Sequence, residues 1–354
     1  MFYNDEEFFQ PAEWTPHQCC WLAWPSHEDL WKESLPWVQK EFLGLCRAIV
    51  DIDPKSKKPR GESLEVLVSD QKSLSEAKKA LEGLPVRFHE IAFGDIWLRD
   101  TAPIFLLNRD KVLGSVRFRF NGWGGKYILP GDSQVAERIS ARVHVRAFEF
   151  PWVLEGGSVE VDGQGTCLTT KQCLLNPNRN PQMTQEQVEE GLYQALGVSQ
   201  VLWLKRGLIN DHTDGHIDTL VRFVAPGVVV CMEPSEQDDP HTEVLQEIIR
   251  DLSGMKDAQG RLLQVIKIPS PGKIFSEEGL VLPASYVNFY IGNSTVVVPT
   301  YGSPQDEKAV ESIAQLFPNR RTKGVSGISI LSGGGSFHCI TQQQPQSQAQ
   351  GQKI

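Results

Sequence analysis

The sequence lacks any regular arrangement of cysteines. Its 354 residues include seven cysteines, an odd number without regular spacing. No CxxC pair or cysteine–histidine cluster has the spacing of zinc ligands. This argues against a disulfide-built secreted domain and against a zinc finger, and it predicts reduced thiols in a cytoplasmic protein.

Long apolar runs and an excess of positive charge are also missing. No stretch approaches the ~18 apolar residues of a membrane span, and the N-terminal segment has neither the basic region nor the apolar run of a signal peptide. The net charge of −9 argues against nonspecific nucleic-acid binding and mildly favours cationic ligands. We therefore expect a cytoplasmic protein with no nucleic-acid or membrane partner.

What the sequence does contain is a repeated unit. Two apolar, β-branched strands are joined by a glycine or polar turn, and an amphipathic helix follows. A less regular unit (helix 37–50, strand 64–69, helix 73–81) precedes four regular ones. These comprise strands 104–107 and 112–120 with helix 133–143, strands 158–161 and 166–170 with helix 184–196, strands 217–224 and 228–232 with helix 242–252, and strands 286–291 and 294–299 with helix 306–317.

The repetition predicts an α/β fold in which the units form a closed radial array rather than one doubly wound sheet. We expect residues 1–342 to form a single domain. Residues 343–354 are polar and rich in glutamine, and we expect them to form a disordered tail.

Reactive side chains stand next to these units. Three segments that lead into hairpins carry them, and so does a loop of three successive glycines near the C-terminus, which can present a thiol at the floor of a pocket. In a radial array, the corresponding ends of the units converge on the axis. We therefore expect one cavity to contain Asp100, Glu155, His216, Asp218 and Cys339.

This set of side chains suits a guanidinium substrate. Guanidinium is a planar cation that carboxylates bind in bidentate fashion, so Asp100 and Asp218 can hold and orient it. The Cys339 thiolate can attack its central carbon. His216 with Glu155 can protonate the departing ammonia and then activate water. These steps require no metal and no cofactor.

Each residue also has a plain structural interpretation when it is taken alone. Asp100 and Glu155 occur where turns are common, and an isolated histidine is more often a core residue. His212 and His216 have HxxxH spacing, but no glutamate follows His212, and Gly215 argues against a zinc-binding helix. The shared placement of the reactive residues at equivalent ends of the repeat favours the catalytic interpretation.

The same segments resemble the agmatine deiminase family. The resemblance covers nearly the whole chain, and its motifs are specific in combination rather than singly. They are Trp24-Pro25, Trp97-Leu98-Arg99-Asp100, the segment NGWGGKY from Asn121, Glu155-Gly156-Gly157, the segment CLLNPNRNP from Cys173, Thr213-Asp214-Gly215-His216-Ile217-Asp218, and the segment GGGSFHCITQQ from Gly333.

The resemblance implies a five-bladed α/β propeller. It implies hydrolysis of agmatine, a small cationic guanidine, to N-carbamoylputrescine and ammonia, a step of polyamine biosynthesis, and it allows a homo-oligomer. The implied nucleophile is Cys339, with His216 and Glu155 in proton transfer. The implied substrate-binding residues are Asp100, Asp218, Trp97 and Asp214.

Three positions depart from the family pattern, and one of them, His212, bears on the substrate. Ala102 stands where glycine is usual, and Trp24-Pro25 lacks the basic residue that often follows it. His212 occupies a position near the substrate's tail that is often acidic. Arginine, a peptidyl-arginine or another alkylguanidine is therefore an alternative substrate. A catalytically silent guanidine-binding protein is a second alternative, against which the complete Cys–His–Glu set argues.

Overall fold

The strands of the protein form five separate sheets in a computed structural model that describes residues 7–348. In chain order the strands are β1 (His17–Ala23), β2 (Ser63–Val68), β3 (Val86–Glu90), β4 (Ile104–Leu107), β5 (Leu113–Arg119), β6 (Arg146–Val153), β7 (Glu160–Val161), β8 (Thr166–Thr170), β9 (Gln200–Leu204), β10 (Val221–Ala225), β11 (Val228–Glu233), β12 (Gln264–Pro269), β13 (Tyr290–Ile291), β14 (Thr295–Thr300), β15 (Arg321–Ser326) and β16 (Gln342–Pro345).

Helices connect these strands. The longer ones are Leu35–Val50, Gln71–Ala80, Asp132–Val143, Gln185–Leu196, Thr242–Ser253 and Asp306–Leu316. Short helical turns are Glu28–Trp31, Lys32–Ser34, Leu98–Thr101, Gly122–Gly125, Gly156–Ser158, Lys171–Leu174, Ile217–Thr219 and Ile328–Leu331. Within the described range no helix is long and apolar enough to cross a membrane.

Four sheets are copies of one three-stranded unit. Their orders are β4-β5-β6, β7-β8-β9, β10-β11-β12 and β13-β14-β15. In each, the first two strands pair antiparallel, and a helix then leads to a third strand parallel to the second. The predicted α/β class and the hairpin–helix order are confirmed. Thr184 and Gln187 form a capping box at the start of the helix Gln185–Leu196.

The third strand of each unit was not predicted. A parallel partner needs a crossover connection, which the helix supplies, so the helix is followed by a strand on the same sheet. These strands lie at the sheet edges and carry polar residues; Arg321–Ser326 reads RTKGVS and is largely exposed or half-buried. Such a pattern gives little periodic signal. The predicted strands 217–224 and 286–291 are also shorter, beginning at Val221 and Tyr290.

Both ends of the described chain share the fifth sheet, whose order is β16-β1-β2-β3. The C-terminal β16 pairs antiparallel with β1, and β1 pairs parallel with β2, so these strands repeat the three-stranded unit across the two chain ends. The disordered tail predicted from residue 343 is therefore wrong for Gln343–Pro345, which lie in β16. Residues 349–354 lie outside the described residues, and the single domain over 1–342 stays a prediction.

The repeat places one end of every unit in an equivalent position. Apolar side chains of the strands and helices fill three buried clusters and fix the units in place. The segments that lead into the first strand of each sheet are then free to carry polar residues. These residues are Asp100 before β4, Glu155 before β7, Asp218 before β10, Asn288 before β13 and Cys339 before β16.

Candidate active site

The thiol of Cys339 lies at the inner end of a cavity of about 270 Å³. Its Sγ is 3.2 Å from the Asn288 side-chain nitrogen and 3.6 Å from a carboxylate oxygen of Asp218. The Asn288 side-chain oxygen accepts the backbone N–H of His338 at 3.0 Å. Asn288 therefore fixes both the thiol and the backbone that carries it.

The glycine run before Cys339 is required by close packing. A Cβ at Gly333 would lie 2.5 Å from the Trp31 ring, and one at Gly335 would lie 2.7 Å from the Trp97 ring. Gly334 has a φ of +107°, which side-chain-bearing residues rarely adopt. The loop thus packs closely against aromatic rings and carries the Cys339 thiol to the cavity.

Asp100, Glu155, His216 and Asp218 lie close to one another, and each is at most 7% exposed. Of the five residues expected in one cavity, Asp100 and Cys339 line it. His216 Nδ1 lies 3.8 Å from Asp100 Oδ1, and Nε2 lies 3.9 Å from Glu155 Oε2. Neither ring nitrogen has a hydrogen-bond partner among the described residues. The same holds for Glu155 Oε2 and Asp218 Oδ1. Because buried polar groups are normally paired, these atoms indicate room for a polar or charged ligand.

Both oxygens of Asp100 and one oxygen of Asp218 are held by the protein. Asp100 accepts the Trp123 indole N–H at 2.8 Å and the Gly157 backbone N–H at 2.9 Å. A Cβ at Gly157 would lie 2.6 Å from His216 Nδ1, so only glycine fits there. Trp123 has a φ of 54°, a left-handed conformation that is uncommon for a tryptophan. Its strained backbone aims the indole at Asp100.

Asp218 is anchored through a buried chain of charges. Its Oδ2 lies 2.7 Å from His338 Nδ1, and His338 Nε2 lies 2.8 Å from Glu13 Oε2. Glu13 also accepts a hydrogen bond of 2.6 Å from the buried guanidinium of Arg222. His338 thus bridges two carboxylates, and Asp218 keeps one oxygen fixed and one free.

Glu155 is fixed in the same way by a cation. Arg179 donates its Nε–H to Glu155 Oε1 at 2.7 Å, and another of its nitrogens lies 2.8 Å from Asp214 Oδ2. The other oxygen of Asp214 pairs with Lys126 at 2.8 Å. Asp214 thus pairs with Arg179, the cation that holds Glu155, and its predicted part in binding the substrate stays a prediction.

Charge and burial set the protonation of the site. Burial, together with the nearby Asp218 and Asp100 carboxylates, raises the pKa of the Cys339 thiol well above its usual value. Burial also raises the pKa of Asp100. Burial disfavours charge on His216, but Asp100, Cys173 and Glu155 outweigh it and raise the imidazole pKa. A cation placed among these groups would be stabilised, and it would favour the thiolate.

Aromatic rings form the rest of the cavity. Trp97 lines the wall, and its indole N–H is held by Asp95 at 2.7 Å; Asp95 also accepts the Trp31 indole N–H at 3.0 Å. At the mouth, Tyr127 stacks on His212 with ring centroids 5.9 Å apart. The complete lining is Leu30, Trp31, Ser34, Asp95, Trp97, Asp100, Trp123, Tyr127, Leu129, His212, Thr213, Ser332, Gly333, Gly334, Gly335 and Cys339.

Several residues of the site were missed in the sequence. His338, Arg179 and Trp123 lie inside quoted motifs, but nothing in the sequence shows which carboxylate each one contacts. Asn288 could have been found, because it leads into the fourth hairpin just as Asp100 leads into the first. Glu13 gives no signal, since its partner Arg222 is 209 residues away.

One grouping has the composition of a metal site. Ligand atoms of Glu155, Cys173 and His216 lie within 4.8 Å of one another, and all three residues are buried. Burial raises the pKa of the Cys173 thiol. The guanidinium of Arg179 on Glu155 already supplies positive charge next to this cluster.

A buried thiol, two aspartates and a histidine–glutamate pair with unpartnered atoms define a class of thiol-dependent enzymes that act on cationic, guanidinium-like groups. The model of the Porphyromonas-type peptidyl-arginine deiminase family matches residues 9–345. The chain belongs to this family.

Relatives extend over nearly the whole chain. The agmatine deiminase of Stutzerimonas stutzeri is 37% identical over 365 residues, which cover 97% of this chain and 96% of that protein. The structure of the agmatine deiminase of Enterococcus faecalis superposes with a TM-score of 0.87 at 35% identity, covering 97% of both chains. The structure of the C. jejuni agmatine deiminase with substrate bound gives a TM-score of 0.86 at 26% identity, covering 96% of this chain and 97% of that one.

Proposed function

We propose that this protein hydrolyses agmatine to N-carbamoylputrescine and ammonia through a covalent amidino-cysteine intermediate, with no metal or cofactor in the reaction. One observation carries the proposal. Unpartnered buried atoms of Glu155, His216 and Asp218 surround the thiol of Cys339. The carboxylate oxygens of Glu155 and Asp218 among them offer acceptors to a planar cation that brings its own N–H donors.

Binding comes first. The guanidinium lies between Asp100 and Asp218, whose Oδ2 atoms are already fixed by Trp123 and His338. Pre-oriented carboxylates lose little freedom when they bind, so the substrate's central carbon is held close to the Cys339 sulfur. The cation offsets the two carboxylates that raise the pKa of the thiol, and the thiolate forms when the substrate is present.

Two chemical steps follow. The sulfur of Cys339 bonds to the guanidinium carbon, His216 protonates one nitrogen, and the carbon–nitrogen bond breaks to release ammonia. His216, paired with Glu155, then takes a proton from water, whose oxygen attacks the same carbon. The carbon–sulfur bond breaks, and N-carbamoylputrescine and the thiol are released.

The location and the partners of the protein are also part of the proposal. The described cysteines are all free thiols, which supports a cytoplasmic location. The sequence-based expectations of no nucleic-acid partner and of a possible homo-oligomer stay predictions. Trp97 is proposed to flank the substrate chain, because its ring lines the cavity beside Cys339.

The test is a screen of ammonia release with agmatine, arginine, arginine-containing peptides and simple alkylguanidines, with the product identified by mass spectrometry. We expect agmatine to give the highest kcat/KM and N-carbamoylputrescine as the product. Ammonia release from arginine or from peptides with no release from agmatine would contradict the substrate, while no release from any guanidine would contradict the reaction.

A further inference from the structure

A second thiol lies against the catalytic histidine. Cys173 is fully buried at the helical turn Lys171–Leu174, and the proposed hydrolysis gives it no step. Its Sγ, a ring nitrogen of His216 and a carboxylate oxygen of Glu155 form a triangle with no side longer than 4.8 Å. Three residues from separate segments of the chain thus present sulfur, nitrogen and oxygen to one small volume.

Two of these ligand atoms are left without partners. His216 Nε2 and Glu155 Oε2 are 3.9 Å apart, and neither makes a hydrogen bond to any described residue. Both residues are at most 1% exposed. A buried nitrogen and oxygen that face each other across this distance leave room for a bound species between them, and that species need not be the substrate.

We propose that Glu155, Cys173 and His216 form a transition-metal site, matched to Zn²⁺, whose occupation switches the enzyme off. Thiolate, imidazole and carboxylate are the ligands that zinc takes in proteins, at about 2.0–2.3 Å. Each ligand would move inward by roughly 0.5 Å to reach those distances. The fourth position of the tetrahedron would be filled by water.

The surrounding groups support this ligand set. Arg179 holds Glu155 Oε1 at 2.7 Å, so the carboxylate is oriented with its other oxygen towards the site. Asp100 lies 3.8 Å from His216 Nδ1, which favours a proton on that nitrogen, so Nε2 is the nitrogen that gives up its proton and binds the metal. The Cys173 thiolate and the Glu155 carboxylate supply two negative charges, and Glu155 shares its charge with Arg179, so the occupied site would carry a net positive charge next to Asp100.

The mode of inhibition follows from the shared atoms and rests on the proposed function. Zn²⁺ and the guanidinium both use the free atoms of His216 and Glu155, so they exclude each other and inhibition is competitive with agmatine. On binding, the Cys173 S–H bond breaks and the sulfur–zinc bond forms, and the Nε2–H bond of protonated His216 is replaced by a nitrogen–zinc bond, so two protons are released. Inhibition therefore strengthens as pH rises.

The first experiment measures inhibition by ZnCl₂ for wild type, Cys173→Ser and the matched control Cys167→Ser. Cys167 is also a fully buried thiol, on β8, and it is absent from the cluster. We expect the inhibition constant for Zn²⁺ to rise about 10-fold or more in Cys173→Ser and to stay unchanged in Cys167→Ser. Equal sensitivity of the two variants would overturn the proposal.

The second experiment needs no turnover. In Cys339→Ala, which lacks the nucleophilic thiol, Co²⁺ should produce a sulfur-to-metal charge-transfer band that is lost in Cys339→Ala/Cys173→Ser. If the double variant does not fold, X-ray absorption spectroscopy at the zinc edge of Cys339→Ala tests the same ligand, and one sulfur at about 2.3 Å from the zinc is expected. Absence of sulfur, or of the band, would place the metal elsewhere. A Cys173-dependent band in a protein that does not hydrolyse agmatine would support the metal site and contradict only the proposed function.

Discussion

The inner end and the mouth of the cavity are built in opposite ways. At the inner end, Cys339, Glu155 and Asp218 are buried and held by directed hydrogen bonds and ion pairs. At the mouth, Tyr127 is 42% exposed and Leu30 is 38% exposed. Burying charge is costly unless a partner is present, so the inner end accepts only a ligand that pairs with its buried charges. The exposed mouth places no such restriction on the ligand. Substitutions should therefore have large effects inside and small effects at the mouth.

The largest effect is expected at the nucleophile. Cys339→Ser replaces the thiol by a much poorer nucleophile and should lower kcat by about 10³-fold or more, while the fold persists. Mass spectrometry of quenched wild-type enzyme should show an amidino adduct on the peptide that contains Cys339. The buried thiol of Cys231 provides the matched control, and Cys231→Ser should keep near-wild-type activity. Near-wild-type turnover by Cys339→Ala would rule out the covalent mechanism.

The same residue gives a pH dependence. Because burial and the nearby Asp218 and Asp100 raise the pKa of Cys339, the thiol of the free enzyme is neutral at pH 7, and its thiolate fraction grows as pH rises. Alkylation of Cys339 by iodoacetamide should therefore accelerate steadily from pH 7 to pH 10. Fast alkylation that is independent of pH would show a thiolate already present without substrate.

The contrast between the inner end and the mouth also bears on how much of the site the sequence predicts. The reactive residues of the inner end stand in short motifs at equivalent points of a repeat, so Asp100, Glu155, His216, Asp218 and Cys339 could be grouped before the structure was known. Their supports could not, because each is a long-range contact. Glu13, for example, meets His338 from 325 residues away.

The fold shows a similar division. Hairpins with β-branched residues and helices with apolar periodicity were predictable, since their patterns are local. The polar β16 was mistaken for part of a tail, because its pairing with β1 joins the two ends of the chain. Gln344 accepts the indole N–H of Trp21 at 2.9 Å, a contact that no local pattern of glutamines indicates.

The next largest effect is expected at the two aspartates. Asp100→Asn and Asp218→Asn remove charge and nearly keep shape, and leaving one buried cation–carboxylate pair unmade costs about 2–5 kcal/mol. Each variant should lower kcat/KM for agmatine by about 30-fold or more. Asp214→Asn is the informative comparison, because both oxygens of Asp214 are already paired with Lys126 and Arg179, so the variant should lose less than about 10-fold. Equal losses at all three positions would contradict the distinction between aspartates that bind the substrate and an aspartate that supports Glu155.

A smaller loss is expected behind Asp218. Burial would raise the pKa of Asp218, but the hydrogen bond and charge of His338 lower it. His338→Gln removes the charge, so the pKa of Asp218 should rise, and the acidic limb of the kcat/KM profile should move to higher pH. At neutral pH we expect a loss of about 10-fold, the value of one charge-assisted hydrogen bond. Glu13→Gln should shift the acidic limb of the profile in the same direction. An acidic limb that is unshifted in both variants would show that Glu13 and His338 contribute packing only.

The smallest effect is expected at the mouth, where His212 stacks on Tyr127 and lines the cavity. Agmatine should be preferred over arginine by roughly 10²-fold, because no described arginine lines the cavity to pair with a carboxylate tail. His212→Gln keeps a polar side chain beside Tyr127, so it should change this preference by no more than a few-fold, ~0.5–1 kcal/mol at this partly exposed position, and leave kcat unchanged. Competition between the two substrates measures both effects. A larger change in His212→Gln would place His212 against the substrate's tail, and arginine preferred over agmatine by the wild type would overturn the agmatine assignment itself.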